Sequence, residues 1–289
     1  MELQWPLILF TTFVAWSAGL FGTQALLATG GHAKRSQLPA WVASAALLAV
    51  GGVAVFFHLE HWERIFNGFG HLTSGITQEF VAIVVLAAVA VAYLVAMRRS
   101  DDGATAPKWL CWAAVAVCAV LVAAMAHSYT IAARPAWDSA LWILYVLGNA
   151  CALGPCTMAL VMAAVGDDLA PIGPPALAGA AVGLAAAVAF AAFLQASGGS
   201  FAEVGYYFDP TRPTAGMADA ASAVAAQAPL LWAGAVAVGG ILPLAAALMG
   251  KRSGNWKVWG PVAIVCALIG AVCLRVVFYE LGLSVFMFY

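Results

Sequence analysis

Residues 80–97 read FVAIVVLAAVAVAYLVAM, eighteen consecutive positions without a charge, an amide or a proline. As a helix rising 1.5 Å per residue this run is about 27 Å long, close to the roughly 30 Å of hydrocarbon in a bilayer. Gln78 and Glu79 precede it and Arg98 and Arg99 follow it, so the run is bounded by polar groups at both ends. Runs of the same kind recur along the chain. Together they predict eight membrane-spanning helices at about 5–29, 40–57, 80–97, 109–125, 141–165, 176–196, 229–249 and 259–278. The chain of 289 residues is 64% hydrophobic and 9% charged, with mean hydropathy +0.96, which is too apolar for one water-soluble core.

The fold class expected is therefore an all-α integral membrane protein, with residues 1–289 forming a single membrane domain. The first run lacks a basic leading segment and is too long for a signal peptide, so it reads as a retained helix. The longest connection, at 197–222, is about 26 residues and leaves no room for a soluble domain. Lys34, Arg35, Arg98, Arg99, Lys108, Lys251, Arg252 and Lys257 fall in the odd-numbered connections, whereas the even-numbered ones hold Arg64, Arg134 and Arg212. By the positive-inside rule both termini face the outer side. A net charge of −1 argues against a nucleic-acid partner.

Within the apolar runs, GAAVG at 179–183 is a small-xxx-small pattern that predicts close helix approach. The six cysteines, Cys111, Cys118, Cys151, Cys156, Cys266 and Cys273, lie in or beside apolar runs and form no CxxC pair. They read as small core residues, and no iron-sulfur cluster is expected in this chain.

Against this background residues 56–80, FFHLEHWERIFNGFGHLTSGITQEF, crowd three histidines, three glutamates and an arginine into one connection. With the topology above, His58 ends helix 2, Gln78 and Glu79 begin helix 3, His127 ends helix 4, and Arg275 and Tyr279 stand one turn apart near the end of helix 8. All converge on the outer side. Proton-coupled oxidation of a quinol needs hydrogen-bond partners for two ring oxygens, acceptors for two protons and an apolar wall. Histidine suits proton uptake near neutral pH, and a carboxylate can take the second proton. On this reading Arg64 and Arg275 hold the carboxylate or a quinone oxygen, the start of helix 3 favours ionised Glu79 through the helix dipole, and His58, Trp62, Phe66 and Phe69 supply aromatic surface.

The motif HLEHWERIFNGF followed by TQE resembles the pattern on the helix 2–3 connection of the membrane-anchor subunits of the DMSO reductase family, the DmsC-like anchors. WPLILFT at the start, SYTIAARPAW after helix 4, LGPCTMALV in helix 5 and LRVVFYELGL near the end are similar to segments of the same family. The resemblance implies a haem-free, quinol-oxidising anchor in the cytoplasmic membrane of a prokaryote. Menaquinol or another quinol would be its bound substrate. Its partners would be a ferredoxin-like four-cluster iron-sulfur subunit and a molybdopterin catalytic subunit on the outer side, serving anaerobic respiration. It also implies His58 and Glu79 as acid-base residues, with Arg64, Asn67, Trp62, Phe66, Arg275, Tyr279 and His127 around the quinol. His127 stands where the family usually carries arginine, and Ala271 where it often carries glutamate.

Two other functions fit a polytopic helical chain. A haem b anchor would need paired histidines, for which His58 and His127 are the candidates. A secondary transporter would need polar groups near the midplane, where the sequence offers Asn149, Gln24 and Gln195.

Overall fold

The computed structural model describes residues 3–59, 61, 67, 70–71, 73–132, 134–197 and 220–282. Among them eight helices are long and apolar enough to cross a membrane, and no strand occurs. They are α1 (Trp5–Thr29), α2 (Gln37–Phe56), α3 (Gly75–Arg99), α4 (Lys108–His127), α5 (Ala140–Val165), α6 (Gly173–Ser197), α7 and α8 (Trp256–Glu280). α7 runs continuously through Ala220–Pro229, Leu230–Ile241 and Leu242–Ser253, and its middle twelve residues are wound as a π-helix. Such wide turns are rare. This one lies between Pro229 and Pro243, neither of which can donate a backbone hydrogen bond to the ladder.

In hydrocarbon every backbone polar group must be bonded within its own segment, which is why these runs fold as helices. Their ends follow local chemistry. The Ser139 hydroxyl accepts from the Leu141 amide at 3.2 Å to open α5, and Gly166, at φ 74°, closes it in the left-handed conformation that glycine tolerates. Arg98 and Arg99 end α3, and Lys251 and Arg252 end α7, where cations complement the helix dipole.

α1 packs against α2, α4 and α5, while α5 also packs against α6 and α8, and α7 lies on α6 and α8. Two groups of four helices are thus joined through α1 and α5. The close approach expected at GAAVG is present: a Cβ on Gly179 would strike the Cys151 carbonyl, and one on Gly183 would lie 3.0 Å from the Gly148 carbonyl oxygen. α3 is peripheral. Its Val81, Val84, Val85, Val91 and Val95 are exposed, as residues facing lipid chains would be. Cys111, Cys118 and Cys156 are buried as expected, but Cys151 is exposed on the outward face of α5; none of the six forms a disulfide.

At one end of the bundle, the basic end, the connections are tied together. Lys34 Nζ lies 2.7 Å from Asp102 Oδ2, and Asp167 Oδ2 accepts from the Ser36 amide at 2.8 Å and its hydroxyl at 2.6 Å. The Lys34 ammonium, helped by the Thr105 hydroxyl and the Ala104 amide, holds the Asp102 carboxyl well below the usual range. Just inside this end Gln24 Nε2 donates to Gln37 Oε1 at 3.0 Å, and the Tyr93 hydroxyl donates to the same oxygen at 2.8 Å. That network lets α2 begin at Gln37, three residues before the apolar run that announces it.

Candidate functional site

The opposite end carries the α2–α3 and α4–α5 connections. α3 starts at Gly75, five residues before its apolar run, because Ser74 and Gly75 fit closely against the end of α4: a Cβ on Gly75 would lie 2.9 Å from Cα and Cβ of Ser128. The early start places Glu79 beyond the first turn of α3 rather than in it. The dipole effect fades within that turn. Glu79 instead shares the buried seam of the helix with Leu86 and Tyr93, at intervals of seven residues.

Glu79 is 7% exposed. The single hydroxyl proton of Ser128 is shared between the Met125 carbonyl, 2.7 Å from Oγ, and Glu79 Oε2, 3.1 Å away. Oε1 has no partner. A buried carboxylate oxygen without a donor is costly, so this atom is the one in the cluster best disposed to receive an O–H from a bound molecule.

Beside it stand two tyrosines. Tyr129 follows Ser128 and Tyr279 lies on the last turn of α8; their rings are edge to face with centroids 6.3 Å apart. Both are buried, and both lie close enough to Glu79 and to Arg275 to feel their charges. Burial, reinforced by Tyr279 and Glu79, pushes the Tyr129 phenol well above the ordinary tyrosine range. Trp137 packs edge-on against Tyr279 at 5.6 Å and stacks on Phe278 at 4.7 Å, while Phe278 stacks on Trp142 at 3.8 Å.

Arg275, one turn below Tyr279, is completely buried. Its Nε donates to Thr11 Oγ1 at 2.9 Å, one terminal nitrogen to the Ala271 carbonyl at 3.2 Å and Asn149 Oδ1 at 3.4 Å, and the other to the Thr11 carbonyl at 3.3 Å. The guanidinium also faces the Tyr145 ring, 6.0 Å from its centroid. Glu79 and Arg275, expected as partners, thus form no ion pair; α3 packs chiefly on α4, and α8 on α5 and α7.

His58, just beyond α2, is exposed, as are Asn67 and His127. His127 Nδ1 is 3.0 Å from Thr130 Oγ1. Trp62, Arg64, Phe66 and Phe69 lie outside the described residues. Along the α3–α4 seam runs an apolar groove of about 460 Å³ lined by Thr77, Gln78, Val81, Val85, Val117 and Val120. It begins at the two residues immediately preceding Glu79.

Of the midplane polar groups, Asn149 serves Arg275, Gln24 binds Gln37, and Gln195 accepts from Trp232 Nε1 at 3.2 Å. Ser128 and Thr11 were not singled out by the sequence. Nothing in a Ser following an apolar run, or in a Thr within one, shows that it meets a side chain 49 or 264 positions away.

A protein-family model for the DMSO reductase anchor subunit (DmsC) matches residues 1–193. No curated protein is similar enough to count as a match. The matched stretch contains α1 to α5 and most of α6, hence Glu79 and Ser128 but neither Arg275 nor Tyr279.

Proposed function

The chain belongs to the DMSO reductase anchor subunit (DmsC) family, and from that membership we propose that it is the quinol-oxidising subunit of a molybdoenzyme respiratory complex. The observation that carries this reading is the buried Glu79 carboxylate with one oxygen held by Ser128 and the other unpartnered. A quinol whose hydroxyl donates to Glu79 Oε1 satisfies that atom, and the adjoining apolar groove offers its tail an apolar surface.

Oxidation breaks two O–H bonds and turns two C–O bonds into carbonyls. One proton passes to Glu79, converting carboxylate to carboxylic acid. The other passes to exposed His58, from which it reaches water. Two electrons leave for the nearest iron-sulfur cluster of the partner subunit, which is thereby reduced and passes them to a molybdopterin subunit. Ser128 holds the carboxylate in place, and the Tyr129 hydroxyl offers a donor beside it. Trp62, Arg64, Phe66 and Asn67, in the connection after α2, complete the binding surface in this proposal.

The distribution of lysine and arginine supports a site on the outer side of the cytoplasmic membrane, with both termini and the partner subunits on that side. The test is binding of a fluorescent naphthoquinol analogue to the purified complex. Glu79→Gln is expected to weaken it at least tenfold, the effect of losing a hydrogen bond to a charged group. Unchanged binding and turnover in that variant would remove Glu79 from the site.

A further inference from the structure

α2 and α3 are neighbours in sequence but scarcely touch, since α2 packs on α1 and α3 on α4. They are bridged near the basic end, where Trp41 Nε1 donates to the Ala90 carbonyl at 2.9 Å and the Tyr93 hydroxyl donates to Gln37 Oε1 at 2.8 Å. From that bridge toward the bilayer midplane a crevice of about 280 Å³ opens between the two helices, with α1 as its floor. Its walls include Trp41, Ala45 and Leu48 of α2 and Leu86, Ala87 and Val91 of α3. On the floor the Ser17 hydroxyl donates to the Ser44 carbonyl at 2.8 Å, and the Ser44 hydroxyl donates to the Ser17 carbonyl at 2.9 Å. No residue lining the crevice has a buried polar side-chain atom without a partner. A water or a polar ligand would find nothing there to bond, whereas a hydrocarbon chain needs no partner.

The rim of the crevice is charged. Arg98 follows Val91 by seven residues and Ala87 by eleven, two and three helical turns, which puts it on the same face of α3 and about 10 Å beyond Val91. Arg98 and Arg99 are exposed and form no ion pair among the described residues. In the α1–α2 and α3–α4 connections and their flanks, Lys34, Arg35, Arg98, Arg99 and Lys108 face only Asp101 and Asp102, and Asp102 is already bound to Lys34.

We propose that the crevice between α2 and α3 is a binding site for an anionic phospholipid of the basic-end leaflet, with one acyl chain in the crevice and the phosphate at Arg98 and Arg99. Basic residues beside a gap between membrane helices recognise anionic headgroups in this way, and guanidinium pairs well with phosphate. The chain fills the gap that α2 and α3 leave, and so supports the peripheral helix that carries Glu79. This inference goes beyond the quinol reading and does not depend on it.

The experiment uses the complex purified in a neutral detergent and exposed to phosphatidylglycerol or to phosphatidylcholine, with retained lipid counted by native mass spectrometry and stability read as Tm. The complex should retain phosphatidylglycerol over phosphatidylcholine by at least about fivefold, the effect of one cation beside a headgroup, and should melt at a higher temperature with it. Ala87 is exposed on the crevice wall. Ala87→Phe puts a ring where the chain would lie and should lower phosphatidylglycerol retention by about fivefold or more. Arg98→Gln combined with Arg99→Gln should abolish the preference between the two lipids. Glu79→Gln should retain the lipid as the wild type does, whatever its quinol turnover.

Unchanged phosphatidylglycerol retention in Ala87→Phe overturns the inference; where that variant does not assemble, an unchanged lipid preference in the double Gln variant does so. Equal retention of the two lipids by the wild type also overturns it. So does a rise in Tm reproduced by glycerol phosphate alone, which would reduce the rim to a simple anion contact, or displacement of the lipid by a long-tailed quinone analogue, which would make the crevice a quinol-tail site.

Discussion

Ser128 Oγ lies 3.1 Å from Glu79 Oε2, joining the residue that caps α4 to the first turns of α3 across 49 residues of sequence. The bond fixes one carboxylate oxygen and leaves the other, Oε1, unpartnered in a buried position. A hydroxyl that holds a base by one oxygen sets the direction from which the other can be approached. Ser128→Ala is therefore expected to lower quinol-driven turnover roughly tenfold, the value of one hydrogen bond to a charged group at about 1.4 kcal/mol, without lowering dye-driven turnover. Steady-state assays of both activities on one preparation measure this, and a wild-type quinol rate would show that the bond does not matter.

Gly75 makes this approach of α3 to α4 possible, since a Cβ there would lie 2.9 Å from the Ser128 Cα and Cβ. Gly75→Val should push α3 away from Ser128 and give the Ser128→Ala phenotype or worse. At the basic end of the same helix nothing should change, so trypsin cleavage at Arg98 and Arg99 should keep its wild-type rate.

Gly239 and Gly270 bring α7 and α8 into backbone contact, and a Cβ on either would strike the other helix. Gly270→Val is expected to destabilise the subunit by roughly 1–3 kcal/mol, the usual effect of forcing volume into a close-packed interface. A lower melting temperature in detergent checks it.

How much of this was legible in the sequence depended on the range of the interaction. Apolar runs are local, and they located all eight helices. Their ends were displaced wherever polar residues continue a helix with help from elsewhere: Gln37 through Gln24 and Tyr93, Gly75 through Ser128, and residues 221–228 through an Ala-rich extension of α7. The shift at α3 matters most, since it turns Glu79 from a residue on a helix tip into one on a buried seam. Glu79 stood out in the sequence as a carboxylate beside an apolar run, but Ser128 did not. Arg275 was visible as a charge near a helix end, whereas its anchors Thr11 and Asn149 come from helices that only the packing brings together.

Sidedness gives a separate test. If the partner subunits sit over the quinol-site end, crosslinks from the iron-sulfur subunit should reach the connections after α2, α4 and α6 and avoid Lys108 and Lys251. Crosslinks to those two lysines alone would reverse the orientation.

Quinol protons released on the side where electrons leave move no net charge across the membrane. Glu79 and Arg275 are the only buried charged side chains among the described residues, and none continues toward the basic end. Turnover in sealed vesicles should therefore build no membrane potential. A potential sensitive to uncoupler would contradict this.

The central claim is that Glu79 takes a proton from quinol. Its most direct measurement is the ratio of quinol-driven to dye-driven turnover in Glu79→Gln, with His58→Ala beside it. The account predicts that Glu79→Gln assembles, keeps dye-driven turnover, and loses quinol-driven turnover by roughly 10²- to 10⁴-fold, as expected for loss of a general base. An unchanged ratio, whether both activities persist or both fall together, would contradict it.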